Sequence, residues 1–296
     1  MDSATPPLAC MTANRFKLQL RMKALTREIL NEAGKSPQRT SLSGSGVLLL
    51  TLTLIHCAPT TKPHTDLLNR HLEGRRIVER AVEAHGGMER WNRFAILTAR
   101  YEEHWSWPFT WLGKNPWPVN NVRASLKLWL HEARVEAVFE DQGGQTWAYS
   151  DGKVTVSGTA ARPSLHWKPW FVLPRTHYLT LLPFKFLDPG VQLEYLGKTR
   201  VAGLEFDEVL VTFAENVGTT PRDKYWALFD RGTARLTRLR LTVTAYGRLA
   251  VGEIIYEGYK QVQGIQFASR LRGYWRGPAA KWPLHLGTYY QATLEE

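Results

Sequence analysis

The sequence predicts a mainly β protein of the α+β class, in which a few helices cover one large curved antiparallel sheet or incomplete β-barrel. Apolar residues recur with a period of two along several short segments, as at Leu126, Leu128 and Leu130. Turn residues separate these segments, and Asp151-Gly152 is a strong hairpin signal. A helical pattern precedes the segments, and no composition shift divides them. One domain is therefore expected.

The composition excludes several classes of protein. The 296 residues are 44% hydrophobic and 22% charged, which allows a large core and excludes a multi-span membrane protein. The 12 Trp, 11 Tyr and 11 Phe exclude a wholly disordered chain. Cys10 and Cys57 are too few for a disulfide scaffold or a four-thiolate zinc site, and no cofactor is predicted.

The first 57 residues are predicted to be an N-terminal extension followed by a lipoprotein-type signal peptide. Residues 47–55 form an uninterrupted apolar stretch that is too short to span a bilayer as a helix but suits the core of a secretory signal. Lys35 and Arg39 supply positive charge before this stretch, and Cys57 follows it closely. This arrangement resembles a bacterial lipoprotein signal, in which the cysteine is lipidated, although His56 stands where a small residue is usual. A buried strand is the alternative.

The charge balance divides between this leader and the remainder. The whole chain carries 38 Lys+Arg and 27 Asp+Glu, a formal net charge of +11. Of these, seven basic and three acidic residues precede Cys57, which leaves +7 on the remainder. Residues 15–30 form either a basic amphipathic helix on a membrane or an artefact of the choice of start codon, because Met11 and Met22 are possible internal starts.

The next elements are a linker and a helix. Residues 58–65 are predicted to be a linker, and residues 66–296 the folded domain. Thr65 or Asp66 can cap a helix that Gly86-Gly87 ends. One buried stripe of this helix is expected to comprise Leu68, Leu72, Ile77, Ala81 and Ala84.

Strands are predicted for most of the remaining chain, with two interruptions. The strand residues include Trp147, Tyr149, Val154, Val156, Val209, Val211, Phe213, Leu239, Leu241 and residues 284–294. The interruptions are the Trp- and Pro-rich residues 105–117 and the apolar, Pro-broken residues 163–190. A short helix is predicted at 175–182, just after Pro174, and both interruptions are interpreted as apolar connections laid across the sheet.

Several of these segments together resemble the bacterial lipoprotein-carrier (LolA/LolB-like) family, and more specifically a group described as outer-membrane lipoprotein-sorting proteins. The matching segments are IVERAVEAHGG (77–87), LPFKFLDPG (182–190), GKTRVAGLEFDEVLVTF (197–213), PRDKYWALFD (221–230) and YEGYKQVQGIQF (256–267). The resemblance implies an incomplete, highly curved β-barrel with a hydrophobic cavity under its helices, and lipid or acyl-chain binding without catalysis. The family's functional arginine has no matching residue, so the ferrying of lipoproteins is not transferred.

Catalytic and metal-binding motifs are missing from the sequence. The histidines have no HExxH or His/Cys ligand spacing and are interpreted as surface or capping residues, and there is no GxSxG elbow. The acidic pairs Glu102-Glu103 and Glu140-Asp141 are interpreted as solvated strand edges, because neighbouring strand residues point to opposite faces. Asp207, Glu208 and Asp223 are expected in turns or on the outside of the sheet. Arginine-rich strands could bind nucleic acid, but an exported protein meets anionic lipid instead, so no nucleic-acid partner is predicted.

These observations favour a lipid-anchored protein of the bacterial cell envelope, facing the periplasm, that binds a hydrophobic ligand in an open barrel. Its predicted site residues are Cys57 for lipidation and, for the cavity lining or lid, Trp105, Trp107, Trp111, Trp167, Trp170, Phe171, Phe184 and Phe186. Two alternatives remain open. The first is an envelope interaction or sensor module, which a fully packed interior would favour, and the second is an unrecognised hydrolase, which a buried His/Asp/Ser cluster would favour.

Overall fold

A computed structural model describes residues 63–296, except for 112, 114, 142, 159–167, 216, 248–249 and 277–280. The described residues belong to the unit Pro59–Glu296. The predicted leader, including Cys57, and Trp167 lie outside the described residues.

Twelve strands form one antiparallel sheet that does not close, as the sequence predicts. The strand order is β5-β4-β3-β2-β1-β12-β11-β10-β9-β8-β7-β6, so the last strand pairs with the first and the described sheet has β5 and β6 as its edges. The strands are β1 (Ile96–Trp105), β2 (Asn121–Trp129), β3 (Arg134–Phe139), β4 (Thr146–Ser150), β5 (Lys153–Ser157), β6 (Val191–Val201), β7 (Leu204–Phe213), β8 (Tyr225–Asp230), β9 (Leu236–Thr242), β10 (Val251–Val262), β11 (Ile265–Arg276) and β12 (Lys281–Glu295).

Alternating burial gives the sheet an inner and an outer face. Along β2, Val122, Ala124, Leu126 and Leu128 are buried, and the residues between them are more exposed. The predicted hairpin at Asp151-Gly152 is confirmed. Both residues have positive φ angles, 50° and 78°, as a two-residue turn with the right-handed twist of its strands requires.

Helix α1 (Pro63–Ala84) is confirmed, but its buried stripe differs from the predicted one. Ile77, Val78, Ala81 and Val82 are buried in the core, whereas Leu68 and Leu72 are exposed. The reason is that the first turns of α1 lie along the edge strand β6, where polar contacts hold them. His71 Nδ1, for example, is 2.6 Å from the carbonyl oxygen of Leu193.

The chain after α1 turns sharply at Gly86-Gly87, which precede the short helix α2 (Met88–Trp91). Gly86 has a φ of 122°, and a Cβ there would lie 2.5 Å from the carbonyl oxygen of Gly264. Only glycine fits both constraints, so the predicted helix end is fixed by the approach of α1 to the β10–β11 hairpin.

Two short helices fall within the segments that interrupt the strand pattern. Helix α3 (Trp107–Trp111) follows β1, and helix α4 (Pro169–Thr180) lies against the inner face. The predicted start of a helix after Pro174 was wrong, because Pro174 lies inside α4. The 3-10 helices Phe184–Leu187 and Thr244–Tyr246 complete the connections.

The exposed tryptophans of the described residues lie at one end of the sheet, called here the aromatic end. At this end β1 finishes and β12 begins, since Trp105 pairs with His285. The β7–β8, β9–β10 and β11–β12 connections also lie there because all strands are antiparallel. Helix α1 starts at the aromatic end, near the first residues of β6, and reaches the opposite end, where the His85 carbonyl oxygen accepts a hydrogen bond from Gln266 N.

Candidate functional site

A buried ionic cluster joins α4 to the inner face, with the Glu103 carboxylate at its centre. Arg175 Nη2 of α4 donates to both Glu103 oxygens, at 3.0 and 3.3 Å. Tyr101 Oη donates to Glu103 Oε2 at 2.6 Å, and Trp117 Nε1 donates to the same oxygen. His285 Nδ1 of β12 lies 2.9 Å from Oε1. The interpretation of Glu103 as a solvated edge residue was therefore wrong.

The charges within the cluster are matched. Burial alone raises the pKa of Glu103, but the positive charge of Arg175 and the contact with His285 outweigh it and hold this pKa below its ordinary value. Burial lowers the pKa of His285 in spite of the neighbouring carboxylate, so the imidazole is neutral at pH 7. Its Nε2 is 3.4 Å from Arg175 Nη1, a donor, and its Nδ1 faces the carboxylate. The proton is therefore assigned to Nδ1.

The ring of His285 fits tightly between its neighbours. It stacks on Trp105 with 5.0 Å between ring centroids. A Cβ at Gly273 of β11 would lie 2.3 Å from His285 Nε2. The absence of a side chain at Gly273 therefore makes room for the imidazole.

This cluster ties α4 to the inner face of the sheet. A histidine that acts as a general base needs a free ring nitrogen facing a nucleophile, and both nitrogens of His285 face other members of the cluster. Among the described residues, no group of three or more His, Cys, Asp or Glu could hold a metal ion. The cluster therefore does not favour the hydrolase alternative.

The rest of α4 reaches the sheet through a few further polar contacts. His177 Nε2 is 2.7 Å from the Trp129 carbonyl oxygen, and Thr180 Oγ1 is 2.6 Å from Tyr289 Oη. Tyr256 Oη donates to the Leu179 carbonyl oxygen at 3.2 Å. With Arg175, these contacts tie α4 to strands β1, β2, β10 and β12, while Val172 and Leu173 are fully buried.

The structure separates the predicted cavity and lid residues into three groups by burial. Trp105, Phe184 and Phe186 are buried, and the Phe184 ring stacks on Trp91 at 4.1 Å. Trp111 and Phe171 are half-buried, and Phe171 packs edge-on against Tyr246. Trp107 and Trp170 are exposed at the aromatic end. Trp167 lies outside the described residues.

Sequence reasoning missed Glu103, Arg175 and His285 as partners, although one signal was present. Tyr101, Glu103 and Trp105 alternate along β1, so the carboxylate shares a face with two large aromatic residues. A carboxylate among buried aromatics needs a cation. The cation that pairs with the Glu103 carboxylate is set by the packing of α4, and no local sequence pattern predicts this pairing.

Two open grooves on the surface of the domain are lined largely by charged side chains. An open groove of about 410 Å³ is lined by residues that include Arg100, Glu102, Arg123 and Glu140, and another of about 520 Å³ lies along the charged side of α1. Within the described ranges, no helix combines the length and the apolar character needed to cross a membrane.

The fold and the cluster define a protein with an open antiparallel sheet whose inner face is occupied by a helix held through a buried ion pair. No family model matches the chain, and no curated protein matches it significantly. Solved structures similar in fold include a LolA superfamily protein from Nitrosomonas europaea, with 11% identity, a TM-score of 0.49, and coverage of 75% of this chain and 94% of the other.

Two further structures have comparable similarity. One is a domain from Vibrio parahaemolyticus described as an outer membrane lipoprotein-sorting protein, with 11% identity, a TM-score of 0.45, and coverage of 76% of this chain and 93% of the other. The other is a DUF1329 family protein from Desulfovibrio piger, with 11% identity, a TM-score of 0.38, and coverage of 75% and 92%. At 11% identity the similarity to these structures concerns the fold alone.

Proposed function

We propose that this protein is a non-catalytic binding protein of the bacterial cell envelope, which takes a lipid, an acyl chain or a lipidated protein onto the inner face of its sheet. The observation that carries the proposal is α4 itself. It is an apolar helix that covers the inner face and is tied to it by the polar contacts of Arg175, His177 and Thr180. A helix held in this way can be exchanged for another apolar group.

The proposed ligand competes with α4 for apolar surface. Trp105, Phe184 and Phe186 would contact the ligand where they now contact the core, and Trp111 and Phe171 would lie at the mouth. The exposed Trp107 and Trp170 would form the rim of this mouth. Affinity would come from buried apolar area, at about 25 cal/mol per Å².

The membrane anchor is a separate part of the proposal. Lipidation of Cys57 would retain the protein at a membrane, as the apolar stretch before this cysteine suggests. In cell fractionation, Cys57→Ala should move the protein from the membrane fraction to the soluble fraction. Retention of this variant at the membrane would exclude Cys57 as the anchor.

A second candidate function, docking of a protein partner, is supported by the packing of the interior. Trp117, Trp147 and Phe139 contact one another on the inner face and are almost completely buried, with ring centroids 5.1–5.8 Å apart. An interior this well filled holds no ligand while α4 stays in place. In that case the protein would act through its outer surfaces.

Ligand titration with a loosened variant separates the two candidates. Tryptophan fluorescence of the protein is measured against oleate, a phospholipid and a diacylated lipopeptide, alongside hydrogen exchange of the α4 amides. In the double variant Thr180→Val/Tyr289→Phe, a buried hydrogen bond between α4 and β12 is lost. If α4 must leave, weakening its docking by about 1 kcal/mol should tighten ligand binding about fivefold and speed exchange in α4.

The control is the double variant Thr98→Val/Arg100→Ala on the outer face of β1, which should leave affinity unchanged. Equal ligand affinity in the loosened variant and the parent would contradict displacement of α4. If none of the three probes changes the fluorescence of either protein, the binding function is excluded and partner docking is favoured.

A further inference from the structure

The exposed tryptophans of the described residues all lie at the aromatic end. Trp107 is 72% exposed, Trp170 50% and Trp282 56%. They belong to three different elements, namely α3, the first turn of α4 and the start of β12. The other described tryptophans are buried or half-buried. The three exposed tryptophans are therefore far apart in the sequence, and only the fold places them at the same end.

Packing within the described residues does not account for the exposure of these tryptophan side chains. Trp107 stacks on Trp111 at 6.1 Å and Trp170 lies edge-on to Phe171 at 6.0 Å, yet both keep at least half of their surface in water. Leaving a large aromatic side chain exposed forgoes about 2 kcal/mol of burial free energy. Exposed Leu67 and Leu68, in the first turns of α1, add apolar surface toward the same end.

Basic residues accompany the aromatic ones. Lys168 Nζ lies 4.5 Å from the centroid of the Tyr246 ring, and Arg222 and Lys224 are exposed in the β7–β8 connection. Exposed acidic residues also lie at this end, including Asp66, Asp141 and Glu215, so the charge there is mixed. Tryptophan beside lysine and arginine is the composition that favours the interface between a bilayer and water.

The path of the chain agrees with a membrane on this side. Helix α1 begins at Pro63 at the aromatic end, so the 62 residues that precede it, including the apolar residues 47–55, are attached to the domain there. If α1 began at the opposite end, the chain before it would have to run along the sheet before a membrane-bound preceding segment and these tryptophans could meet the same bilayer.

We propose that the aromatic end is a membrane-docking surface, in which Trp107, Trp170 and Trp282 enter the interfacial layer of an anionic phospholipid bilayer. The basic residues around them contact lipid phosphates. In this orientation the strand ends at the aromatic end face the bilayer. The docking does not depend on whether a ligand reaches the inner face.

The test uses the full-length chain carrying Cys57→Ser, so that no covalent lipid contributes. Binding to vesicles of phosphatidylglycerol and phosphatidylethanolamine is measured by sedimentation and compared with binding to phosphatidylcholine vesicles. The triple variant Trp107→Ala/Trp170→Ala/Trp282→Ala should lower the partition coefficient at least tenfold, and parent binding should weaken on phosphatidylcholine and at high salt. A circular dichroism spectrum identical to that of the parent shows that the variant is folded.

The matched control removes exposed apolar side chains elsewhere on the same sheet. Leu204, at the opposite end, is 57% exposed, and Leu196 is exposed on β6, so Leu196→Ala/Leu204→Ala should bind vesicles as the parent does. Equal binding by the triple variant and the parent overturns the proposal. It is also overturned if serine substitutions at Leu48, Leu49 and Leu50 abolish binding while the triple variant retains it, since the leader would then be the binding segment. Concentration-dependent dimers that the triple variant abolishes, without vesicle binding by the parent, would assign the surface to a second copy.

Discussion

At the residue scale, the buried Glu103 carboxylate balances the charge of Arg175. In Glu103→Gln the Arg175 guanidinium stays buried beside a neutral amide. Because an unpaired buried charge is strongly unfavourable, the free energy of unfolding should fall by about 3–5 kcal/mol. Chemical denaturation followed by tryptophan fluorescence measures the change.

The companion variants distinguish the ion pair from a general packing defect. Glu103→Gln/Arg175→Met removes both charges and should recover a large part of the lost stability, because the pair is replaced by groups that need no counterion. The control is Arg100→Ala. Arg100 forms an exposed ion pair with Glu140 on the outer face, so its removal should change the free energy of unfolding very little. Equal losses in the single and double variants would contradict the role of charge.

Buried histidines make the stability depend on pH, and His85 and His177 are two of them. Burial lowers the pKa of His85 and of His177 from 6.5 to about 4. Between these values the unfolded chain binds protons that the folded protein does not, so stability is complete above pH 6.5 and falls as the pH decreases toward 4. Each histidine should contribute a loss of about 1.4 kcal/mol per pH unit in this window.

Urea denaturation at pH 7, 6, 5 and 4.5 measures this dependence, and carboxylates begin to contribute at the two lowest values. The variant His85→Asn/His177→Gln keeps polar groups near the Ala81 and Trp129 carbonyl oxygens, which the imidazoles now contact, but cannot take up a proton. Its stability should fall less steeply than that of the parent over the same window, and buried His285, whose pKa is also lowered, accounts for part of the remaining slope. A parent protein whose stability does not change between pH 7 and 4.5 would show that these histidines take up protons as readily in the folded protein as in the unfolded chain.

At the element scale, α1 is positioned by a close approach to β6 at Gly74. A Cβ at this position would lie 3.0 Å from Tyr195 N and 3.2 Å from Glu194 C, both backbone atoms that cannot move aside. Ala improves helix propensity over Gly by about 1 kcal/mol, but this contact opposes it, so Gly74→Ala should give no net stabilisation. Gly74→Leu should separate α1 from β6 and accelerate hydrogen exchange in the first three turns of α1.

The exchange of amides in α4, on the other side of the core, is the internal control for this prediction and should remain slow in both variants. Unchanged protection of α1 in Gly74→Leu would mean that the helix can slide along the strand without losing its contacts.

The elements also show how far the sequence alone leads. Leu126 and Leu128 alternate with polar residues, and a period of two is enough to predict both the strand and its buried face. Leu72 follows the helical period equally well but is exposed, because burial depends on whether the sheet extends under that turn. Arg175 and Glu103 are 72 residues apart, and only the tertiary fold brings them together. Local periodicity therefore predicts the elements, while the partners in the candidate site depend on long-range packing.

At the scale of the whole molecule, β12 is the strand that joins two parts of the sheet. It pairs with β1 from Ile96↔Glu295 to Trp105↔His285, and on its other side with β11. The five strands β5 to β1 precede it in the sheet order and the six strands β11 to β6 follow it. His285 and Tyr289, which contact the Glu103 cluster and α4, also belong to it.

Deletion of residues 281–296 should therefore abolish cooperative folding of the whole domain rather than remove one strand from it. The deletion leaves the backbone groups of β1 and β11 without their partners and takes His285 away from Glu103, while α4 loses the Tyr289 contact. The thermal transition followed by near-ultraviolet circular dichroism should disappear. Deletion of Glu296 alone, which lies beyond the paired residues, should leave this transition unchanged. A truncated protein that still unfolds in one cooperative transition would show that β1 and β11 can pair directly, and that the strand order alone does not make β12 essential.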